Sequence, residues 1–120
     1  MQRTSSSSVR VFYPRFSKAE VLERIKSGLS KLREKLPLRF AALFGSYATG
    51  RHTVASDVDV LIVYEGEHRE DAYVLCKKLL AVPHLEPHVY SEKEYEQAKS
   101  SIQRTLEHSI VVYTSDEHRR

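Results

Sequence analysis

GSYATGRHTVASDVDVLIVY, residues 45–64, decides how this chain is read. From Asp57 to Tyr64 the stretch is rich in β-branched residues and reads as a strand, which Gly66 breaks. Immediately upstream, Leu38 to Phe44 is a short apolar run ended by Gly45, consistent with a second buried strand. Residues 47–56 contain Thr49, Gly50, Thr53 and Ser56 and read as a loop, with one helical turn after Ser46.

Working outward, Ser17-Lys18-Ala19-Glu20 is a capping box. Val21, Leu22, Ile25, Leu29, Leu32 and Leu36 then fall on one face of a helix that Pro37 closes. On the other side, residues 68–80 predict a helix with Ala72, Tyr73, Cys76, Leu79 and Leu80 on its apolar side. Leu85 to Tyr90 predicts a third strand, placed at an edge because Pro87 lacks a ladder donor. Ser91-Glu92-Lys93-Glu94 is a second capping box, and Tyr95, Ala98, Ile102 and Leu106 share the face of the helix it opens. Ile110 to Tyr113 is a last short strand. The order α-β-β-α-β-α-β implies an α/β (α+β) fold, a small mixed sheet with helices packed against it.

At 120 residues the chain makes one domain. The expected division is an N-terminal arm over 1–16, a folded unit over 17–114 and a polar tail over 115–120. A large enzyme with separate cofactor and substrate domains is excluded by length. No apolar run approaches the ~20 residues of a membrane span. Arg3 is followed by no apolar signal core, and the lone Cys76 cannot build a disulfide framework; both suit a cytoplasmic protein. The net charge of +3 is divided: residues 1–39 hold ten Lys/Arg against three Asp/Glu, and residues 40–120 nine against thirteen. The basic front is either a docking surface, for a second copy of the chain or a phosphate-rich partner, or a solvated helix face. No basic stripe interleaved with aromatics supports a dedicated nucleic-acid binder.

Asp57 and Asp59 carry the chemistry. On a strand, residues i and i+2 share a face, so the two carboxylates repel unless a cation lies between them. Mg²⁺ suits such a pair, because it favours a few carboxylates together with substrate phosphates. Asp-x-Asp is elsewhere a solvated turn, but here it runs into Val60-Leu61-Ile62-Val63, too apolar for a solvated strand. Gly45 permits close backbone approach, and Ser46 with the amides after it offers an anion site. Arg51 is the nearest cation. The histidines at 52, 68, 84, 108 and 118 show no zinc-ligand spacing with one another or with Cys76, which reads as core.

The stretch resembles the signature of the minimal nucleotidyltransferases, a branch of the DNA polymerase β-like nucleotidyltransferase superfamily. Their hallmark is Gly-Ser, a spacer, then Asp-x-Asp; Ala48, Gly50 and Ser56 match further positions of it. Tyr47 and Thr49 stand where many members carry arginine. The resemblance implies the polymerase β-like fold, with Gly45, Ser46 and Ser56 at the nucleotide and Asp57 and Asp59 binding two Mg²⁺ ions; Arg51, which is not part of the signature, either neutralises phosphate charge in place of the missing arginines or is a solvated loop residue. LEPHVYSEKEYE, residues 85–96, is similar to the third-carboxylate segment of antibiotic nucleotidyltransferases. That implies Glu86 as a metal ligand or general base, where the sequence alone also allows a surface glutamate on an edge strand. Strand alternation puts His88 and Tyr90 on the same face, with His88 either a base or acceptor contact or a structural histidine.

The activity so implied moves a nucleoside monophosphate, AMP from ATP above all, onto an acceptor hydroxyl. The implied partner is a helical protein of the HEPN type, in a toxin–antitoxin pair, and a homodimer is a further expectation. The alternative is a partner-binding module with a vestigial metal site.

Overall fold

The structure is a computed structural model and describes residues 16–115. The expected N-terminal arm up to residue 15, with its part of the basic front, and the tail from residue 116 lie outside the described residues. Four strands, β1 (Leu38–Phe44), β2 (Val58–Tyr64), β3 (Leu85–Ser91) and β4 (Ile110–Thr114), form one sheet in the order β3-β2-β1-β4. β1 pairs antiparallel with β2 and with β4, whereas β2 and β3 run parallel. The sheet is therefore mixed, as the element order implied. β3 is an edge strand, where the missing N–H of Pro87 is tolerated.

Among the described residues four α-helices accompany it, α1 (Lys18–Leu32), the single turn α2 (Ser46–Thr49), α3 (Ala72–Leu79) and α4 (Glu92–Thr105), with a 3-10 turn over Leu106–His108. Both capping boxes form: Ser17 accepts from the Glu20 amide and Ser91 from the Glu94 amide, each glutamate reaching back to its cap. α1 buries Val21, Ile25, Leu29 and Leu32, then ends four residues short of Leu36. Pro37 disfavours the helical conformation for the residue before it, so the chain turns over 33–36 and Leu36 enters the core from that turn. Gly28 lets α1 and α3 touch backbone to backbone, since a Cβ there would lie 2.8 Å from the Leu79 carbonyl oxygen and the Leu80 Cα.

α3 begins at Ala72, later than expected, because Arg69 and Asp71 close on each other through two bonds of 3.0 and 2.8 Å and hold the preceding turn. The Arg69 amide donates to the hydroxyl of buried Tyr64 at 2.7 Å. Tyr73, expected on the apolar side of this helix, is instead 45% exposed; Ala72 and Cys76 supply the buried face. Burial pushes the Cys76 thiol up to about 12, which makes it an inert core side chain.

The sheet has two unequal faces. Ala41, Leu43, Val58, Val60, Ile62, Tyr64 and Leu85 pack with α1 and α3 into the main core. Leu61 and Val63 meet Ile102 of α4 on the other face, with Phe40, Phe44, Tyr90, Tyr95, Ala98 and Leu106 around them. None of the described helices is long and apolar enough to cross a membrane.

Candidate active site

Asp59 sits on β2 with its Cα opposite Phe44 of β1 and Glu86 of β3. Alternation along the strands puts Asp59, Glu86 and His88 on the α4 side of the sheet, opposite the main core. Asp57 lies one residue before β2, exposed, at the same parity as Asp59. Glu86 is exposed on the outer strand. The parallel register of β2 and β3, which no local pattern encodes, brings Glu86 level with Asp59.

The Asp59 carboxylate lies between Gly45 and His88. A Cβ on Gly45 would stand 2.6 Å from Oδ2, and Gly45 has φ 76° and ψ −155°, a conformation essentially reserved for glycine. Gly45 is thus required twice, by its backbone and by the carboxylate against it. Oδ1 lies 3.2 Å from Nε2 of His88. The edge of the Phe44 ring meets the His88 ring at 4.9 Å between centroids. Residues 88 and 59 therefore share one contact group, with the imidazole turned to the carboxylate.

Ser46 opens α2, which is only four residues long. The amides of Ala48 and Thr49 bond back to the Gly45 carbonyl at 3.1 and 3.2 Å. So short a turn builds little macrodipole, and the helix-end contribution expected after Ser46 is small. The Arg51 amide donates to the Ser46 carbonyl at 2.9 Å, while its side chain is exposed. Ser56 closes the loop on itself: its Oγ accepts from the Thr53 amide at 2.8 Å.

Tyr47 does not line this surface. It is 4% exposed, stacked on His52 at 4.0 Å and packed in the main core, and burial raises its pKa. Lys18, which the sequence showed only as the first helical residue after a cap, reaches from α1 to donate to the Ala48 carbonyl at 3.2 Å. It brings a second cation to the turn that carries Ser46, across thirty positions of sequence and without a local signal.

Among the described residues, no three His, Cys, Asp or Glu side chains are gathered into a metal cage. The donor set still fits Mg²⁺, which takes one or two carboxylates and fills its remaining positions with water and phosphate oxygens. The cradle that Gly45 leaves for Asp59 also fits a carboxylate held ready for a cation.

A small mixed sheet with Gly-Ser at the end of one strand and Asp-x-Asp at the start of its neighbour defines a nucleotidyltransferase domain. Residues 22–112 match the family model described as nucleotidyltransferase domain, and the chain belongs to that family. It is 39% identical over 46 residues to “Putative protein adenylyltransferase MJ0126” of Methanocaldococcus jannaschii, a match covering 38% of this chain and 47% of that protein. The chain thus matches less than half the length of this curated relative. Its fold is similar to that of “a putative nucleotidyltransferase from Sulfolobus solfataricus”, with TM-score 0.58 and 16% identity, covering 92% of this chain and 89% of the other. It is also similar to a structure described as tri-AMPylated Shewanella oneidensis HEPN toxin in complex with MNT antitoxin. There the TM-score is 0.54 at 17% identity, with 82% of this chain and 76% of that one covered. At such identities the likeness is one of fold, and the family model bears out the nucleotidyltransferase part of the resemblance.

Proposed function

We propose that this chain is a Mg²⁺-dependent nucleotidyltransferase that moves AMP from ATP onto a hydroxyl of a HEPN-type partner protein, as the antitoxin of a toxin–antitoxin pair. One observation carries the reading: the carboxylate of Asp59, fitted against Gly45, stands level with Glu86 across two parallel strands. The description of the Methanocaldococcus relative as a putative protein adenylyltransferase, and the similar structure described as an AMPylated HEPN toxin in complex with MNT antitoxin, support the choice of AMP and of partner.

In this reading Asp57 and Asp59 hold two Mg²⁺ ions, which when bound neutralise phosphate charge and align the reacting oxygens. Gly45 and Ser46 receive the triphosphate, with Arg51 and Ser56 beside it. Glu86 takes the proton as the acceptor oxygen bonds to the α-phosphorus. The bond from that phosphorus to the bridging oxygen breaks, and pyrophosphate leaves. Positioning and charge neutralisation account for most of the acceleration.

A second reading, a partner-binding module that neutralises by occlusion, is favoured by Tyr47. The side chain at a position where many members carry arginine is buried in the core and offers no cation to a phosphate.

Incubation with α-labelled ATP, Mg²⁺ and the HEPN-type partner separates the two. Label on the partner that falls by ~100-fold or more in Asp57→Asn/Asp59→Asn is the expected result. Neutralisation that survives the double substitution, with no label transferred by the wild type, overturns the enzyme reading in favour of occlusion.

A further inference from the structure

We infer that His88 is a positioning residue for Asp59: its ring N–H holds one carboxylate oxygen so that the remaining lone pairs face a divalent cation. The inference rests on the nucleotidyltransferase reading above and names a part of that site which the signature does not contain.

The contacts form one closed group. Phe44 is the last residue of β1 and the cross-strand neighbour of Asp59. Its ring meets the His88 ring at 61° with centroids 4.9 Å apart. His88 is level with Leu61 on the parallel strand, one side-chain step along the same face from the level of Asp59 and Glu86. From there Nε2 reaches Oδ1 of Asp59 at 3.2 Å. The opposite oxygen occupies the space beside Gly45 that a side chain would take, 2.6 Å from where a Cβ would stand. Glycine limits the carboxylate on one side and imidazole on the other, so its rotation is restricted from both directions.

The chemistry fixes the sense of the bond. An ionised carboxylate only accepts, so the imidazole donates from Nε2. A ligand held in this way is already oriented when the cation arrives. Groups that support metal-ligating side chains affect metal affinity by about 10–100-fold when removed. Asp59 and His88 are both partly exposed, with side-chain accessibilities of 27% and 38%. The pair therefore lies at the surface of the site, where a cation and a nucleotide can approach it, and not in the core.

The test is Mn²⁺ binding by the full chain, followed by electron paramagnetic resonance with and without a non-hydrolysable ATP analogue. It is run on wild type, His88→Ala, His88→Gln and Asp59→Asn. Wild type is expected to hold Mn²⁺ in the presence of the analogue, and Asp59→Asn to lose it. His88→Ala is expected to bind about 10-fold more weakly. His88→Gln, whose amide N–H donates from a similar reach, is expected to recover most of that loss. In label transfer, His88→Ala should raise the Mg²⁺ needed for half-maximal rate, and His88→Gln should bring it back toward the wild-type value. Melting temperatures of the His88 variants identify any loss that is merely structural. His88→Ala binding Mn²⁺ as tightly as wild type overturns the inference, and so does His88→Gln behaving no better than His88→Ala. Wild type that holds no Mn²⁺ with the analogue overturns the nucleotidyltransferase reading itself, a different result from either.

Discussion

The two faces of the sheet are built to different ends. On one, α1 and α3 close over β1 and β2, and Val60, Ile62, Ile25 and Leu32 are fully buried. On the other, α4 covers only the stretch around Leu61 and Val63, and Asp59, Glu86 and His88 continue the same face into solvent. The strand alternation that drives Val58, Val60 and Ile62 into the main core turns Asp59 to the opposite side. Stability is concentrated where the helices seal the sheet. The proposed chemistry falls where a helix stops short of covering the sheet, and carboxylates there escape the cost of burial.

The sharpest way to break this comparison is Gly45→Ala. A positive φ and a carboxylate oxygen 2.6 Å from where the Cβ would stand make alanine unacceptable there. Label transfer is expected to fall by ~100-fold, with a stability loss of about 1–3 kcal/mol from the forced backbone conformation. Unchanged transfer by this variant would show that Asp59 needs no glycine wall. Next come the two cores. Ile25→Ala, at 0% exposure among α1 and the strands, is expected to cost about 2–5 kcal/mol in urea unfolding. Ile102→Ala, 7% exposed in the smaller cluster under α4, should cost about 1–2 kcal/mol by the same measurement. Equal losses would mean that the α4 face is as tightly packed as the other.

The smallest effect concerns the cap of α4. The Ser91 amide donates to Glu94 at 2.8 Å and, before the Ser91 hydroxyl and His68, holds its carboxyl below the usual value. A pKa lowered by folding contributes stability above the ordinary carboxylate value, and that contribution disappears as pH falls through the folded value. Glu94→Ala removes one half of the capping box at a largely exposed position and is expected to cost less than about 1 kcal/mol at neutral pH. The difference in melting temperature from wild type should close on acidification below the ordinary 4.5.

Legibility followed range. Leu38–Phe44 was readable residue for residue, because an apolar run ended by glycine needs no distant partner. The two Ser-x-x-Glu caps were equally plain, since both halves of each lie within four residues. The start of α3 was misjudged because Arg69 and Asp71 form a fork that competes with helix, and side-chain pairing of this kind leaves no periodic trace. Tyr73 was placed inward by its apolar character, although Ala72 and Cys76 already fill the space beneath that helix. Of the site, Gly45, Ser46, Asp57 and Asp59 stood out together as a motif. Tyr47 did not announce that it belongs to the core, nor Lys18 that it reaches the Ala48 carbonyl.

By itself, then, the sequence determined the elements, their order and the acidic pair at the start of β2, because propensity, capping and alternation are local properties of the chain. Only the tertiary structure decided that β3 runs parallel to β2, with Glu86 level with Asp59 and His88 bonded to it. Register between strands joined through a helix is set by how that helix packs on the sheet, and such packing is a sum over contacts from the whole domain.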